Sequence, residues 1–250
     1  MNINSLLASI MFFTRIPLWR VINIPSESFK NVVPFWSFTG IITGGVSAFL
    51  AWSLIGHIPI VVLAVVILCV RMLLTGALHE DGLADFFDGF GGGRDREHIL
   101  KIMKDSHIGS FGVISIVAYF FVYVAVVSTL PVYIIPSVVL CVDMWSKSVS
   151  ANIVNLLPYA RTENESKNKV TYNTMTIYQF IFSIAIGFLP MIFLGSSYLL
   201  CTLTPVLFLF AFSYYINKKI DGYTGDCCGA LFILCEISFL LSISFFCHSF

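Results

Sequence analysis

Long apolar runs separated by short polar segments dominate the sequence. Seven of these runs have about the 20 residues that an α-helix needs to cross a bilayer. They predict membrane spans at about 34–56, 58–78, 108–130, 132–153, 174–194, 196–216 and 226–247. The N-terminal segment "MNINSLLASIMFFTRIPLWR" has a shorter apolar core, which predicts an interfacial or re-entrant helix.

Composition agrees with a chain that folds in lipid. Hydrophobic residues make up 58% of the 250 residues and charged residues only 11%, whereas soluble domains carry about 25% charged residues. We therefore expect an all-α, polytopic helical bundle that forms one integral membrane domain over residues 1–250, in contact with membrane lipid. We expect no nucleic-acid partner, and the sequence leaves a homo-oligomer open.

The basic residues predict the orientation of this bundle. The loops around residues 57, 131 and 195 contain no Lys or Arg, whereas the loops on the other side contain nine. Those nine are Arg94, Arg96, Lys101, Lys104, Arg161, Lys167, Lys169, Lys218 and Lys219. Cytoplasmic loops carry an excess of Lys and Arg, so the basic loops are predicted to face the cytoplasm.

The polar stretch at about 79–110 concentrates the candidate chemistry. It begins with "HEDGLADFFDGFGGG", which brings four carboxylates and a histidine together directly after an apolar run. At about 100° per residue, Asp81, Asp85 and Asp88 fall on one face of a helix. Like charges at this spacing repel each other, and Mg²⁺ binds through carboxylates together with substrate phosphate oxygens. The spacing therefore favours a magnesium site over the alternative of a solvated acidic face.

The next residues, "RDREHILKIMKDSHIGSFG", supply the opposite charge. The segment predicts a short second helix with an apolar stripe, which we expect to fold back on the first. Its basic residues are Arg94, Arg96, Lys101 and Lys104. Acids for a metal and bases for phosphate within about 25 residues are typical of phosphoryl transfer, where positioning and charge neutralisation provide most of the catalysis. Lys104 in particular is predicted to neutralise diphosphate oxygens.

A second polar segment, "DGYTGDCCG", occupies residues 221–229. Gly225 permits close approach of the backbone, Thr224 offers a hydroxyl, and Asp226 opens the last predicted span. The N-terminus of a helix is a natural anion site, but Asp226 fits an ordinary N-cap equally well. From the residues alone, both interpretations stay open.

Charged residues inside the predicted spans include Asp143, Lys147 and Glu236. Asp143 and Lys147 are four residues apart on one helix, and buried charges usually pair, so we expect an ion pair between them. Glu236 has no partner that the sequence identifies.

Three segments of the chain resemble the cobalamin synthase family, the adenosylcobinamide-GDP ribazoletransferases. They are "FFTRIP", "TGALHEDGLADFFDGFGGGRDREHILKIMKDSHIGSFG" and "TGDCCGA", which together span residues 12 to 230. The resemblance implies an inner-membrane enzyme of late cobalamin assembly, with its active site facing the cytoplasm. Such an enzyme joins adenosylcobinamide-GDP to α-ribazole or its 5′-phosphate, releases GMP and uses Mg²⁺.

The resemblance also implies roles for individual residues. The expected metal ligands are Asp81, Asp85 and Asp88. The expected catalytic residues are His79, Glu80, Lys104 and Asp105. The expected substrate-binding residues are Arg94, Arg96, Gly109, Thr224, Gly225 and Asp226. His79 and the carboxylates are all candidates for the general base, and the sequence does not choose among them.

Two other functions stay open. A membrane phosphotransferase of the CDP-alcohol type also uses helix-borne aspartates and Mg²⁺, but the full motif spacing of that family is absent. A transporter would place its charged residues near the bilayer midplane, whereas these acids lie at the predicted cytoplasmic edge. We therefore favour the ribazoletransferase.

Overall fold

The computed structural model describes residues 2–162 and 170–249. Within these ranges the chain forms eleven α-helices joined by turns and short 3-10 segments. In chain order, α1 to α11 span Ile3–Phe13, Trp36–Leu54, Ile60–Thr75, Leu78–Gly92, Arg96–Lys104, Ser110–Thr129, Ile135–Ala151, Ile153–Leu156, Ile177–Phe188, Leu203–Ile220 and Gly225–Ser249. The predicted all-α architecture is confirmed.

Five helical segments are long and apolar enough to cross a membrane. They are Val33–Leu54, Ser110–Thr129, Val132–Leu156, Ser196–Ile220 and Gly225–His248, and they match five of the seven predicted spans. The predicted span 58–78 is instead part of a bent pair, in which α3 and α4 meet at 91°. The predicted span 174–194 corresponds to a shorter helix, Ile177–Phe193. By length and composition, the described residues therefore hold five candidate spans, or six if the bent pair forms one span, where the sequence predicts about seven.

The bend between α3 and α4 lies at two residues with left-handed backbone. Gly76 has φ 68° and Ala77 has φ 57°. Glycine adopts this conformation without strain, whereas alanine there costs on the order of 1–2 kcal/mol. The backbone N–H of Arg15 donates to the carbonyl oxygen of Leu74 at 2.7 Å. The segment after α1 therefore lies against the bend.

α4 packs on the beginning of α11 through two glycines. A Cβ atom at Gly82 would lie 3.0 Å from the carbonyl oxygen of Asp226, and one at Gly229 would lie 3.2 Å from the carbonyl oxygen of His79. Larger side chains at either glycine would push the two helices apart. The two polar segments that the sequence analysis singled out are thereby brought into contact.

The polar connections of the chain meet at one end of the bundle. Arg96 donates to the carbonyl oxygens of Ile220, at 3.1 Å, and of Ala160, at 2.7 Å. The connections after α4, α8 and α10 therefore lie together, as their shared excess of Lys and Arg predicts. Two cations of this set, Lys167 and Lys169, lie outside the described residues. The side of the membrane that this end faces stays a prediction.

The predicted ion pair of Asp143 and Lys147 is confirmed. Lys147 Nζ lies 2.6 Å from Asp143 Oδ2, and both side chains are buried in α7. The Thr43 hydroxyl of α2 donates to the same carboxylate oxygen at 2.7 Å and is also contacted by Lys147. Because buried charges are costly without hydrogen-bonding partners, this cluster ties α2 to α7.

A second buried cluster centres on Arg71 of α3. Its guanidinium donates to Glu80 of α4 at 3.1 Å and also bonds to Glu236 of α11 and Tyr119 of α6. The Tyr119 hydroxyl donates to Glu236 at 2.9 Å. Glu236, for which the sequence offered no partner, is therefore paired. One arginine joins four helices and fixes the start of α4.

Candidate active site

A cavity of about 130 Å³ lies where the beginning of α4 faces the beginning of α11. We call it the first cavity. The polar part of its wall consists of His79, Asp81, Arg161, Gly225 and Asp226. The aromatic part consists of Phe12, Phe13, Trp36, Tyr159 and Tyr172. Ionisable and aromatic groups from distant parts of the chain therefore share one space.

Asp81 and Asp226 reach the first cavity from different helices. Asp81 lies in the first turn of α4, and Asp226 lies in the first turn of α11. The close contact at Gly82 brings these two turns together. Asp85 follows Asp81 by one turn of the same helix and is half-buried. The sequence identified all three acids, but it gave no sign that Asp226 would face the acids of α4.

Asp88 has a different environment from Asp81. Its side chain is buried, and its two oxygens accept the N–H groups of Gly109 at 2.7 Å and Gly112 at 2.8 Å. The first N–H groups of a helix have no partner within the helix, so Asp88 supplies acceptors for the start of α6. The structure places neither Asp88 nor Gly109 in the first cavity.

The donor set in the first cavity fits a magnesium ion held by two acids. Within residues 2–162 and 170–249, no group of three or more His, Cys, Asp or Glu side chains is arranged to hold a metal. Mg²⁺ usually takes one or two carboxylates, however, and completes its coordination with water and substrate phosphate. Asp81 and Asp226, which line one cavity, supply that number of carboxylates.

His79 lies among the rings of the first cavity. Its ring centroid is 5.5 Å from that of Trp36 and 4.6 Å from that of Phe232, and the side chain is 2% exposed. Neither Nε2 of His79 nor Nε1 of Trp36 has a hydrogen-bond partner in the described part of the chain. Because an unpaired buried polar atom costs about 1–3 kcal/mol, both nitrogens are suited to a ligand that completes their hydrogen bonds.

Tyr159 and Tyr172 contribute phenol groups to the same wall. Burial raises the pKa of Tyr159 to about 12 and raises the pKa of Tyr172 well above its ordinary value. Both phenols are therefore protonated, and able to donate hydrogen bonds, throughout the physiological range. The sequence analysis gave neither tyrosine a role.

Three of the four residues predicted to be catalytic lie outside the first cavity. Glu80 is buried and pairs with Arg71. Lys104 is exposed at the end of α5, and Asp105 follows it. Hydrogen bonds from the side chain and backbone of His107 lower the pKa of the Asp105 carboxyl. His79 alone of the four lines the cavity.

The basic side chains divide in the same way. Arg94 is exposed and does not line the first cavity, and Arg96 is bonded to two backbone carbonyls. Arg161, which the sequence analysis counted only as a loop cation, does line it. Its Nη2 donates to the carbonyl oxygen of Leu100 at 2.7 Å, which holds the guanidinium at the wall. The sequence of a polar loop does not indicate which helix its basic side chain will contact, so the position of Arg161 could not be predicted.

The second polar segment supplies the wall opposite α4. The Thr224 hydroxyl accepts the N–H of Cys227 at 3.3 Å, so Thr224 caps α11 in the way that the sequence analysis considered for Asp226. Thr224 itself is fully buried, whereas Gly225 and Asp226 line the first cavity.

A second cavity, of about 550 Å³, shares Asp81 with the first. Thr14, Arg15, Trp19 and the bend at Gly76 contribute to its wall. The Arg15 side chain lies so close to Gly76 that a Cβ atom there would collide with it. The sequence analysis placed Arg15 only within an interfacial or re-entrant segment, and the one signal of another role was its position within "FFTRIP".

Fold and site together define a class of protein. The chain is a multi-pass helical membrane protein, and one end of its bundle combines carboxylates, an imidazole and a guanidinium in one cavity, a set suited to phosphate chemistry. The chain belongs to the cobalamin-5-phosphate synthase family, whose model matches residues 5–244. It is therefore a transferase of cobalamin biosynthesis, and the resemblance carried by the three segments is confirmed.

Similar proteins match along nearly their whole length. The adenosylcobinamide-GDP ribazoletransferase of Clostridium novyi (strain NT) is 36% identical over 251 residues, which cover 96% of each chain. That of Shewanella sp. (strain W3-18-1) is 33% identical over 240 residues, covering 94% of this chain and 92% of the relative. That of Shewanella oneidensis is 31% identical over 230 residues, covering 90% and 88%. No solved structure matches the chain.

Proposed function

We propose that this protein transfers the cobinamide-bearing phosphoryl group of adenosylcobinamide-GDP to α-ribazole or its 5′-phosphate, in a Mg²⁺-dependent reaction that releases GMP. The names of its relatives identify the donor and the ribazole acceptor. The structural observation that carries the proposal is the meeting of an imidazole, two carboxylates and a guanidinium in the first cavity. These groups belong to His79, Asp81, Asp226 and Arg161.

The transfer needs one bond to form and one to break. A ribose hydroxyl oxygen of the acceptor bonds to the phosphorus that carries cobinamide. The bond from that phosphorus to the bridging oxygen of the diphosphate breaks, and GMP leaves with the bridging oxygen. The hydroxyl proton passes to a base in the enzyme. His79 is our candidate because it lines the first cavity and its Nε2 has no hydrogen-bond partner among the described residues; a cavity carboxylate is the alternative.

The acids and the base of the cavity wall have complementary tasks. Asp81 and Asp226 would hold Mg²⁺, with Asp85 one turn behind Asp81. When bound, the ion neutralises charge on the phosphate oxygens. Arg161 adds a fixed positive charge on the same wall, and its planar guanidinium matches phosphate oxygens.

The predicted residues outside the cavity have a narrower role in this proposal. Arg94 and Lys104 would contact only parts of the substrates that extend beyond the first cavity.

We also propose an inner-membrane location with this end of the bundle in the cytoplasm. The distribution of Lys and Arg among the loops supports that orientation.

Turnover by the purified full-length protein in lipid nanodiscs tests the proposal. With adenosylcobinamide-GDP, α-ribazole and Mg²⁺, we expect GMP to be released in proportion to the cobalamin formed. EDTA should stop the reaction and excess Mg²⁺ should restore it. GMP release that does not require α-ribazole would indicate a hydrolase, and no release by the folded protein would refute the proposed reaction.

A further inference from the structure

The two cavities that share Asp81 differ in chemistry. Rings dominate the wall of the first cavity, including those of Trp36, Tyr159 and Tyr172. The second cavity carries the Arg15 guanidinium and lies at the bend between α3 and α4. A reaction that joins an aromatic nucleoside to a diphosphate donor requires these two kinds of binding surface.

We propose that the flat base of the acceptor binds along the aromatic wall of the first cavity, while the diphosphate of the donor extends from Arg15 in the second cavity to Asp81, where the two cavities meet. Asp81, which lines both, then lies at the point where the two substrates meet. This assignment rests on the proposed function and deepens it, because it states which surface recognises which substrate.

The wall of the first cavity suits an aromatic base in its rings and its polar groups. The rings of Phe13 and Trp36 are stacked, with centroids 4.9 Å apart and an interplanar angle of 7°. The unpaired nitrogens of Trp36 and His79 provide directional contacts for a heterocycle. Rings that form a wall and unpaired ring nitrogens together favour a flat, nitrogen-containing ligand.

The second cavity suits a phosphate-bearing ligand. Its volume, about 550 Å³, lies in the range of about 300–1,000 Å³ that is usual for ligand sites. The Arg15 side chain lies against Gly76, and its backbone N–H donates to the carbonyl oxygen of Leu74, so the exposed guanidinium lies at the bend. Arg15 forms no ion pair with another residue of the described ranges. A guanidinium so placed can bind two phosphate oxygens at once.

Separate measurement of the two Michaelis constants tests the assignment. Arg15→Ala should raise KM for adenosylcobinamide-GDP about 10- to 100-fold, as expected for the loss of a charged hydrogen bond, with KM for α-ribazole unchanged. Tyr172→Ala should do the reverse, raising KM for α-ribazole about 5- to 100-fold through lost stacking. Tyr172→Phe keeps the ring and should retain the wild-type value.

Matched substitutions outside both cavities serve as controls. Arg20→Ala and Tyr133→Ala remove the same side chains from exposed positions and should leave both constants unchanged. The donor effect of Arg15→Ala should be equal in phosphatidylcholine and phosphatidylglycerol nanodiscs. An effect confined to the anionic lipid would assign Arg15 to a lipid headgroup and overturn the proposal.

Failure of the assignment is distinguishable from failure of the proposed function. If the wild-type protein releases GMP but each variant raises both constants equally, or raises the opposite one, the assignment is wrong and the reaction stands. If the wild-type protein does not release GMP, the reaction itself is refuted.

Discussion

Asp81 and Asp88 lie on the same helix and were both expected to bind the metal, yet their carboxylates have different surroundings. Asp81 is exposed and lines both cavities. Asp88 is 7% exposed and bonded to two backbone amides of α6. The helical spacing places both aspartates on one face of α4, which suggested one metal site. Where α6 packs on α4, however, it forms hydrogen bonds with Asp88 and not with Asp81.

Conversion of each acid to its amide separates a catalytic effect from a structural one. Asp81→Asn should lower kcat/KM by at least about 10²-fold, the scale for one preorganised electrostatic group, without changing the thermal unfolding midpoint. Asp88→Asn should lower the midpoint, because hydrogen bonds to a charged acceptor contribute about 1.5–3 kcal/mol. GMP release and differential scanning fluorimetry measure the two effects. A stable Asp88→Asn protein without activity would return Asp88 to the metal site.

At the scale of helices, the bend and the glycine contact determine where α4 lies. Gly82 is the point of closest approach, since a Cβ atom there would lie 3.0 Å from the Asp226 carbonyl oxygen. Gly92, at the end of the same helix, would place a Cβ atom 3.5 Å from Ile102, an ordinary contact. The two glycines therefore form a matched pair for mutation.

Gly82→Ala should reduce turnover, because it displaces Asp226 relative to Asp81. Overpacking costs about 1–3 kcal/mol, so the unfolding midpoint should fall as well. Gly92→Ala should retain activity and stability, since alanine also has the higher helix propensity. Steady-state GMP release by both variants provides the comparison. Equal activity of the two would show that the contact of α4 with α11 tolerates a methyl group and does not position the acids.

The Arg71 cluster holds the same helix from its other side. Glu236→Gln removes one of the two carboxylates that face the buried guanidinium, and breaking a buried ion pair costs about 3–5 kcal/mol. Because glutamine keeps a hydrogen-bonding oxygen, we expect the lower end of that range, measured as reduced unfolding free energy in detergent. Glu97→Gln, on the exposed side of α5, is the control. If both variants are equally stable, Arg71 is satisfied without Glu236.

The sequence predicted which segments are helical, because long apolar runs and the glycines at 91–93 act locally. It did not predict the bend, since alanine prefers the right-handed conformation and nothing marks Ala77 as left-handed. The sequence also did not predict the partners of Glu236 or the position of Arg161. Those contacts join residues far apart in the chain, and they depend on which helix faces packed together. Local pattern therefore identified the acids, and tertiary packing selected which of them share a cavity.

At the scale of the whole molecule, the loops that are rich in Lys and Arg lie together at one end of the bundle. The two ends therefore differ in charge. Arg96 reaches both Ala160 and Ile220 there, and the first cavity lies at the same end. The connection around residue 57, by contrast, contains no Lys or Arg. Since positive loops remain on the cytoplasmic side, the end that carries the cavities is expected to face the cytoplasm.

Labelling with a membrane-impermeant maleimide decides this orientation. Asp95→Cys, in the exposed connection between α4 and α5, should react in inside-out vesicles and not in intact spheroplasts. His57→Cys, exposed in the connection between α2 and α3, should show the opposite pattern. The parent protein, with its seven free cysteines among the described residues, supplies the background in both preparations. Labelling of Asp95→Cys in spheroplasts would place the cavities on the side of the membrane away from the cytoplasm and would contradict the proposed orientation.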